Sequence, residues 1–245
     1  MSPFVNKTIN TKLATSSVVG LLLFLTPVAN ANFRPGDRKP ASDYTRSGGS
    51  RGCPNSDNQI PLTLLAPKTY IGYTASTRPT FAGYVSSSQE IEFQIFEFVS
   101  NNTVTAFSNS IKQKTSPGIF QISLPENYPK LAVGKKYFWQ VAISCPGDDL
   151  VERAEFMVVE IPSTIENKLL TTDNDLQKSN TYATANLWYE ALAEALKSAS
   201  PGKLGQVGSN LVQQFAKFES ARAKENEQLV EKRIGNLQRI ANEEK

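Results

Sequence analysis

The sequence of 245 residues contains no histidine and only two cysteines. The lack of histidine excludes every mechanism that uses an imidazole, including Ser-His-Asp and Cys-His nucleophile systems and histidine-ligated zinc or iron sites. Glycine and proline number 14 each and 40% of the residues are apolar, which excludes collagen-like and fully disordered chains. The composition therefore predicts a mostly globular protein, with one domain and appendages or with two small domains.

Residues 1–31 have the pattern of a secretory signal peptide. Lys7 and Lys12 precede an apolar run at residues 18–25, and a small-x-small triplet follows at residues 29–31. The alternative is a transmembrane anchor, but that needs about 20 apolar residues and this run is much shorter. We expect cleavage after the triplet, and a mature chain without a stable membrane span that is periplasmic or secreted. The residue directly after the cleavage point is not a cysteine, which argues against a lipoprotein anchor.

Residues 32–52 are rich in Gly, Pro and Ser and carry five basic against two acidic residues. This composition predicts a basic, disordered tether. The alternative is contact with an anionic envelope polymer or lipid headgroup. We expect no binding of nucleic acid, because no basic patch with interleaved aromatic residues is present.

Cys53 and Cys145 are the two cysteines, and an even number in an exported chain most often indicates a disulfide. The bond would close a loop of about 90 residues, worth roughly 4 kcal/mol in the entropic account. The alternative is a pair of free thiols, but no basic neighbour is placed to lower a thiol pKa.

Residues 53–162 alternate short runs of β-branched and aromatic residues with turn clusters, and no helical period occurs up to Cys145. The alternation Phe120, Ile122, Leu124 places these residues on one sheet face. In residues 91–99 the apolar parity switches, which indicates a bulge or burial on both faces. We predict an α+β, β-rich fold whose first domain is a seven-stranded immunoglobulin- or fibronectin-III-like sandwich. The predicted strands are 62–66, 79–85, 91–99, 103–111, 118–124, 136–145 and 154–161.

Leu131, Gly134 and Tyr137 lead into one of these strands with the spacing of a tyrosine corner. In that motif the tyrosine hydroxyl bonds to the chain a few residues upstream. Tyr137 is therefore predicted to have a structural and not a catalytic role.

Residues 163–245 change to a helical pattern. One helix is predicted from Asp173, with Asp173 and Asp175 in its capping turn, to the stop at residues 200–202. A second, from about Leu204, carries a stripe ending at Phe218, and the two pair as a hairpin. The charged tail beyond it is predicted to be an extended, solvated helix, the alternative being a partner-binding or self-associating coiled coil.

Carboxylates are the remaining candidates for catalysis, because glycosidase chemistry needs two acids and no histidine. Glu90, Glu92 and Glu97 lie in one predicted strand, where the first two share the face expected to be solvated. The runs Asp148-Asp149 and Asp173-Asn174-Asp175 offer oxygen ligands for Ca²⁺, but a turn and a helix cap explain them without a metal. We predict no catalytic residue, no metal and no cofactor.

Two further motifs can be interpreted as functional sites or explained without a function. Trp188-Tyr189-Glu190 could stack on a sugar, but Trp188 falls in the apolar stripe and is expected to pack in the core. The sequon Asn101-Asn102-Thr103 matters only in a eukaryotic secretory pathway.

Several short motifs follow one another from residue 53 to about residue 215 and resemble, in their order, the Domain of Unknown Function 928 family, exported proteins found mainly in cyanobacteria. Departures are Ala82 and Gly83 in place of larger residues, Asn186 where Gly is usual, and the tail after Phe218. The resemblance implies export and this architecture, and no activity or catalytic residue. The motifs are Cys53-Pro54, Leu64-Leu65-Ala66-Pro67, Pro79-Thr80-Phe81, Tyr84-Val85, Ser116-Pro117-Gly118-Ile119, residues 131–145 and residues 182–192.

The sequence thus favours an exported, non-enzymatic envelope protein that acts as a protein–protein interaction module. Its partner would be an envelope protein of unknown identity, recognised by sandwich loops, by an exposed strand edge or by the helices. The alternative is a protein that binds cell-wall polysaccharide. A third hypothesis is a carboxylate-dependent hydrolase, which would require a pocket that holds two acids or a Ser-Lys pair.

Overall fold

A computed structural model describes residues 1, 33–36, 38–45, 58–100, 103–220 and 227–245 of the chain. Except for Met1, the predicted signal peptide lies outside the described residues. Cys53 and the first two residues of the sequon at 101–103 also lie outside them.

Nine strands form two sheets in the described part of the chain. A three-stranded sheet has the order β1-β3-β7, and a six-stranded sheet has the order β2-β9-β8-β4-β5, with β6 also paired to β4. All pairs are antiparallel except β2 with β9. The strands are β1 Thr63–Leu64, β2 Gly72–Thr74, β3 Thr80–Val85, β4 Gln89–Ser100, β5 Thr103–Ala106, β6 Ile111–Thr115, β7 Gly118–Ser123, β8 Lys136–Ile143 and β9 Leu150–Val158.

Aromatic rings join the two sheets face to face. The ring centroid of Phe81 in β3 lies 5.1 Å from that of Phe93 in β4, 5.0 Å from Trp139 in β8 and 5.3 Å from Phe156 in β9. All four side chains are buried. Alternation along each strand places these large residues on the inner faces, so that they form a core between the sheets.

Each predicted strand overlaps an observed strand, but the number seven is wrong. The strands β2 and β6 were missed. Residues 72–74 are too few to show a period, and residues 103–111 read as one run although β5 ends at Ala106 and β6 begins at Ile111. Gly83, which departs from the family pattern, lies against the ring of Phe120, where an added Cβ would collide with the ring.

The tyrosine corner residues lie at the start of β8. The Tyr137 hydroxyl accepts a hydrogen bond of 3.0 Å from the Ala132 N–H. Gly134 has a φ of +81°, and Leu131 and Tyr137 are buried. The contact ties the β7–β8 crossover to β8, which is the structural role expected for Tyr137.

Five helices follow the strands. The predicted helix from Asp173 is in fact two helices, because Asn186 adopts a φ of +60° between them. A left-handed residue ends a helix, which also explains why Gly is usual here in the family pattern. The helices are α1 Ser163–Leu170, α2 Asp175–Thr184, α3 Trp188–Lys197, α4 Gly205–Ala216 and α5 Glu227–Glu243.

The helices and the sheets share one hydrophobic core. The Trp139 indole N–H donates to the Tyr189 hydroxyl of α3 at 3.1 Å, and the Trp188 indole N–H donates to the Leu65 carbonyl at 2.8 Å. The packing of Trp188 in the core is therefore confirmed. Its ring also lies 4.5 Å from that of Phe215 in α4.

The charged tail is not a solvated extension, contrary to the prediction. In α5, Leu237, Ile240 and Ala241 are fully buried. The Ser209 hydroxyl of α4 donates to the Ala241 carbonyl, so α5 packs on α4. The apolar residues of the tail are too widely spaced to stand out among its charges, but Leu237, Ile240 and Ala241 fall on the face that contacts the body, whereas Leu229 is exposed.

The predicted tether is also wrong for the residues that the structure describes. Phe33 is buried, its N–H donates to Gln214 Oε1 at 2.8 Å, and its ring lies 4.9 Å from that of Trp188. The Tyr44 ring stacks on Phe138 at 5.7 Å. Two aromatic side chains thus fasten this basic segment to the helices at one end and to the six-stranded sheet at the other.

Candidate interaction edge

The edge of the three-stranded sheet at β1 is sealed by α5. Arg233 donates to the carbonyls of Leu64 at 3.1 Å and Ala66 at 2.6 Å. Glu219, which follows α4, forms an ion pair with the Arg233 Nε at 3.4 Å and also accepts a hydrogen bond from the Lys68 N–H at 2.9 Å. Two backbone carbonyls at this edge, one in β1 and one just after it, are therefore bound by a side chain from the C-terminal third.

The edges at β2 and β7 are contacted by the same helical region. Tyr73 of β2 forms an isolated parallel bridge with Leu187 at the start of α3. The Ile119 N–H of β7 donates to the Gly202 carbonyl in the α3–α4 turn at 2.8 Å. Neither edge presents its whole backbone to solvent.

The edge at β6 is protected by charge. Its exposed residues include Lys112 and Lys114 at alternate positions, and the Gln113 amide donates to the Gln121 carbonyl of β7 at 3.3 Å. Lysines on an edge strand oppose the addition of a further strand, because their ammonium groups would have to be desolvated.

The strand β5 has none of these protections. Its sequence is Thr-Val-Thr-Ala, with Thr103, Thr105 and Ala106 exposed and Val104 half-buried. Among the described residues it pairs only with β4. No charged residue occurs from position 98 to position 111. The edge is short, uncharged, free of proline and rich in β-branched residues, which is the profile of a strand that accepts another strand.

The hydrogen-bonding phase of β5 shows which backbone groups are open. The Phe107 N–H donates to the Ile95 carbonyl at 2.9 Å, and the register pairs Thr105 with Glu97. Because hydrogen-bonded pairs alternate along an antiparallel ladder, Thr105 also points its backbone groups toward β4. The N–H and C=O groups of Val104 and Ala106 therefore point away from the sheet.

An aromatic cluster lies beside this edge on the outer face of the six-stranded sheet. We call Tyr44, Phe96, Phe98 and Phe138 the outer aromatic cluster. The rings of Phe96 and Phe138 stack at 4.7 Å, and the Lys136 ammonium lies 3.8 Å from the centroid of Phe98. The cluster explains the parity switch in β4, because Ile91, Phe93 and Ile95 face the core while Phe96 and Phe98 face outward. Val104 is paired with Phe98 and Ala106 with Phe96, which extends the apolar strip to the open edge.

The candidate carboxylates of β4 are separated along the strand. Glu90 and Glu92 line a cavity of about 370 Å³ at one end of the sandwich, together with Ser86, Ser87 and Lys112. Glu97 lies at the other end and forms an ion pair with Lys135 at 3.0 Å. No sequence pattern pointed to this cavity, because its walls come from the segment before β1, from the β3–β4 turn, from β4 and β6, and from the end of β8 with the turn after it.

The acidic loops have different positions in the fold. Asp148 and Asp149 are exposed in the turn between β8 and β9. Asn174, and neither aspartate beside it, caps α2, because its Oδ1 accepts from the Leu176 N–H at 2.8 Å and from the Gln177 N–H at 3.4 Å. Within the described ranges no three carboxylate or cysteine side chains are grouped so that they could hold a metal ion.

The carboxylates of Glu190 and Glu219, like that of the fully buried Glu155, were not singled out by the sequence as ionic sites. Glu190 of α3 accepts at Oε1 from Thr74 Oγ1 and from the N–H groups of Ala75 and Ser76, while its Oε2 is buried without a hydrogen-bond partner in the described chain. Burial raises the pKa of the Glu190 carboxyl. Glu219 is the hub beside β1, where Lys68 is also buried. Burial lowers the pKa of the Lys68 ammonium, although the neighbouring Glu152 raises it.

The predicted disulfide involves one residue inside and one outside the described ranges. Cys145 lies just after β8 at the rim of the cavity and is not a free thiol. Its predicted partner, Cys53, lies outside the described residues, and the pairing therefore stays a prediction.

The comparisons with known proteins give one strong match. A family model described as Domain of Unknown Function (DUF928) matches residues 46–221, which is more than half of the chain. None of the curated proteins matches the sequence. A solved structure of Astrotactin-2, a conserved vertebrate-specific and perforin-like membrane protein involved in neuronal development, is similar over 74% of this chain and 34% of its own, with 11% identity and a TM-score of 0.24. A likeness that weak carries no argument about fold or function. No helix among the described residues is long and apolar enough to cross a membrane.

Proposed function

Since the chain belongs to the DUF928 family, whose description assigns no activity, we propose from its own geometry that it is an exported, non-enzymatic envelope protein that binds other proteins through β5. One observation carries the proposal: β5 is open and uncharged, whereas helices or lysines protect the other sheet edges described above. The N-terminal signal pattern supports export to the periplasm or the medium, and the predicted Cys53–Cys145 disulfide fits an oxidising compartment.

The strand order supports an immunoglobulin- or fibronectin-III-like sandwich as the scaffold. In such folds the first, second and fifth main strands form one sheet, and the third, sixth and seventh form the other. Here β1, β3 and β7 form one sheet, while β4, β8 and β9 form the centre of the other. On this scaffold β5 is the strand added beside β4, at the side farthest from the helices that contact β2.

Recognition would proceed by strand addition. An extended segment of the partner would form backbone hydrogen bonds with Val104 and Ala106, which supply affinity without demanding a particular sequence. Its alternate side chains would lie beside Val104, Ala106 and the half-buried Phe96. The preferred partner segment is therefore uncharged and apolar at every second position.

Site-specific cross-linking in the native envelope tests this proposal. A photo-reactive amino acid placed at Thr105 is expected to give discrete protein adducts, and Ala106→Pro in the same chain is expected to abolish them. Proline removes the outward N–H of Ala106 but no hydrogen bond of the β4–β5 ladder, so the fold is preserved. The matched control places the photo-reactive group at Gln121, an exposed position on β7.

The result distinguishes an edge from a merely exposed surface. Equal adducts from Thr105 and Gln121, or adducts at Thr105 that survive Ala106→Pro, would overturn strand addition at β5. A circular dichroism spectrum and a melting curve unchanged by Ala106→Pro establish that the variant is folded.

A second candidate function, the binding of cell-wall polysaccharide, is favoured by the cavity beside Glu90 and Glu92. Its lining combines carboxylates, hydroxyls and an ammonium with apolar residues such as Leu62 and Leu150, a mixture that suits sugar hydroxyls and ring faces. Saturable retention of the chain on isolated wall polymer, lost with Ser87→Trp but kept with Ser123→Trp, would support this function. Absence of retention would leave protein binding as the sole proposal.

A further inference from the structure

We propose that the strand which pairs with β5 is β5 of a second copy of this chain, so that two six-stranded sheets join into one continuous antiparallel sheet. This inference rests on the proposed function, because it uses the same open edge and names its partner. It follows from the phase of the open backbone groups, from the side chains beside them and from the charge of the strand.

The open backbone groups of β5 are self-complementary. A two-fold axis perpendicular to the sheet places each strand antiparallel to its copy and keeps the outer faces of both copies on the same side. With Thr105 opposite Thr105 of the second copy, Val104 lies opposite the second copy's Ala106. The backbone N–H and C=O groups of Val104 and Ala106 point outward, so Val104 exchanges two hydrogen bonds with the second copy's Ala106. By the two-fold symmetry Ala106 forms the same two bonds with the second copy's Val104. A shift by one residue would oppose inward-pointing with outward-pointing groups and lose these bonds.

The side chains also suit this register. At the axis two Thr105 residues meet as a pair that is not hydrogen-bonded through the backbone, where side chains approach most closely, and cross-strand threonine pairs are favourable. On the outer face Val104 meets Ala106, a larger residue beside a smaller one. The outer aromatic clusters of the two copies then flank the joint as one apolar band across the outer face.

The absence of charge permits pairing with a second copy. Like charges directly opposite one another destabilise a strand pair, and charges on an edge strand are one device that prevents pairing with its own copy. Residues 98–111 carry none, so self-pairing meets no repulsion along the whole hairpin. The lysines of β6, Lys112 and Lys114, limit the joint to β5 and thereby help to define the register.

Sedimentation velocity over a concentration series tests the inference on the chain from residue 32 to residue 245. The wild type is expected to sediment as a reversible dimer. Thr105→Lys places two ammonium groups opposite each other on the axis, as Thr105→Glu does with two carboxylates, and each variant alone is expected to weaken self-association at least about tenfold. An equimolar mixture of the two is expected to restore the dimer, because opposite charges then face each other.

The control variants separate failure of this inference from failure of the proposed function. Gln121→Lys, an exposed lysine elsewhere on the sandwich, is expected to leave the dimer unchanged. A wild type that stays monomeric at all concentrations, or a mixture that does not restore what the single variants lose, would overturn pairing with a second copy. If in that case Ala106→Pro still abolishes the adducts at Thr105 in the envelope, the edge binds another protein and the proposed function stands. If the adducts also persist, both proposals fail.

Discussion

The edges at β1 and β5 bound different sheets of the same sandwich, and they differ in what protects them. At β1 the outward carbonyls of Leu64 and Ala66 are bound by Arg233, which is 169 positions away from Leu64 in sequence. At β5 the outward groups of Val104 and Ala106 meet nothing else in the described chain. The comparison shows that the C-terminal third of the chain seals the sandwich on its own side only.

Sealing an edge with buried charge has a physical cost that the open edge avoids. Arg233, Glu219 and Lys68 are withdrawn from water beside β1, and each depends on the others and on backbone groups for its hydrogen bonds. The open edge contains only small and β-branched uncharged side chains. Substitutions on the sealed side are therefore expected to change stability, and substitutions on the open side to change association.

The largest effect is expected for Glu219→Ala on the sealed side. The change removes the ionic partner of the Arg233 Nε and the acceptor of the N–H groups of Lys68 and Thr69. Breaking a buried ion pair by removing one partner costs about 3–5 kcal/mol of unfolding free energy. Urea denaturation measures it, with Glu231→Ala on the exposed side of α5 as the control, expected to change the free energy by less than about 0.5 kcal/mol. Equal stability of the two variants would show that the hub does not hold the edge.

A smaller loss is expected for Gly83→Ala, beneath the sealed edge. Gly83 pairs with Leu64 of β1, and the ring of Phe120 packs directly against its Cα. A Cβ would force that ring to move within a filled core, and such overpacking costs about 1–3 kcal/mol. The shift in the urea midpoint measures this loss. Ala82→Gly, its neighbour, removes a methyl group without a collision and separates the effect of the ring from that of a small residue.

The contact of α3 with the turn after β2 is expected to depend on pH. The pKa of Glu190 is raised in the folded chain, chiefly by burial, so its contribution to stability is complete below the ordinary carboxyl value of 4.5 and is lost as the pH rises through the folded value. Glu190→Gln cannot ionise and is expected to flatten that decline in the melting temperature above pH 4.5. Melting curves across the pH range measure it, with Glu166→Gln on exposed α1 as the control. A slope identical to that of the wild type would contradict the assignment.

The smallest effect on stability is expected for Ala106→Pro at the open edge. The N–H that proline removes has no partner in the described chain, so the unfolding free energy is expected to change by less than about 0.5 kcal/mol. Urea denaturation of this variant beside Glu219→Ala makes the sharpest contrast between the two edges. A loss comparable to that of Glu219→Ala would mean that β5 is covered.

The strands were predictable because their signal is local. Alternation in residues 120–124 and 137–145 identifies β7 and β8 without knowledge of their neighbours, and every predicted run overlaps an observed strand. Apart from β2, β6 and the helix break at Asn186, the misses are contacts between distant residues. Neither the docking of α5 on α4 and β1 nor the burial of Phe33 against α3 and α4 has a local signal.

The candidate site at β5 was partly predictable, because one of its features is local in sequence and the other depends on distant residues. The absence of charge from position 98 to position 111 is visible in the sequence and would have drawn attention to β5. Whether an edge is open, however, depends on which distant side chains reach it. Arg233 reaches β1, whereas no comparable residue of the described ranges reaches β5, and only the three-dimensional arrangement distinguishes the two cases.

The burial of Phe33 has a consequence for the order in which the molecule is completed. Phe33 and its acceptor Gln214 are separated by 181 positions, and the end of α5 contacts the same helix, with the Leu204 N–H donating to the Glu244 carbonyl. A chain that emerges from a ribosome or a translocation pore N-terminus first exposes Phe33 early, while α4 comes out late. Phe33 emerges early but is thus among the last residues to be buried. The apolar site that receives it, between α3 and α4, is complete only when almost the whole chain is available. Folding converges on α4 from both directions, with the slow kinetics expected of such long-range contacts.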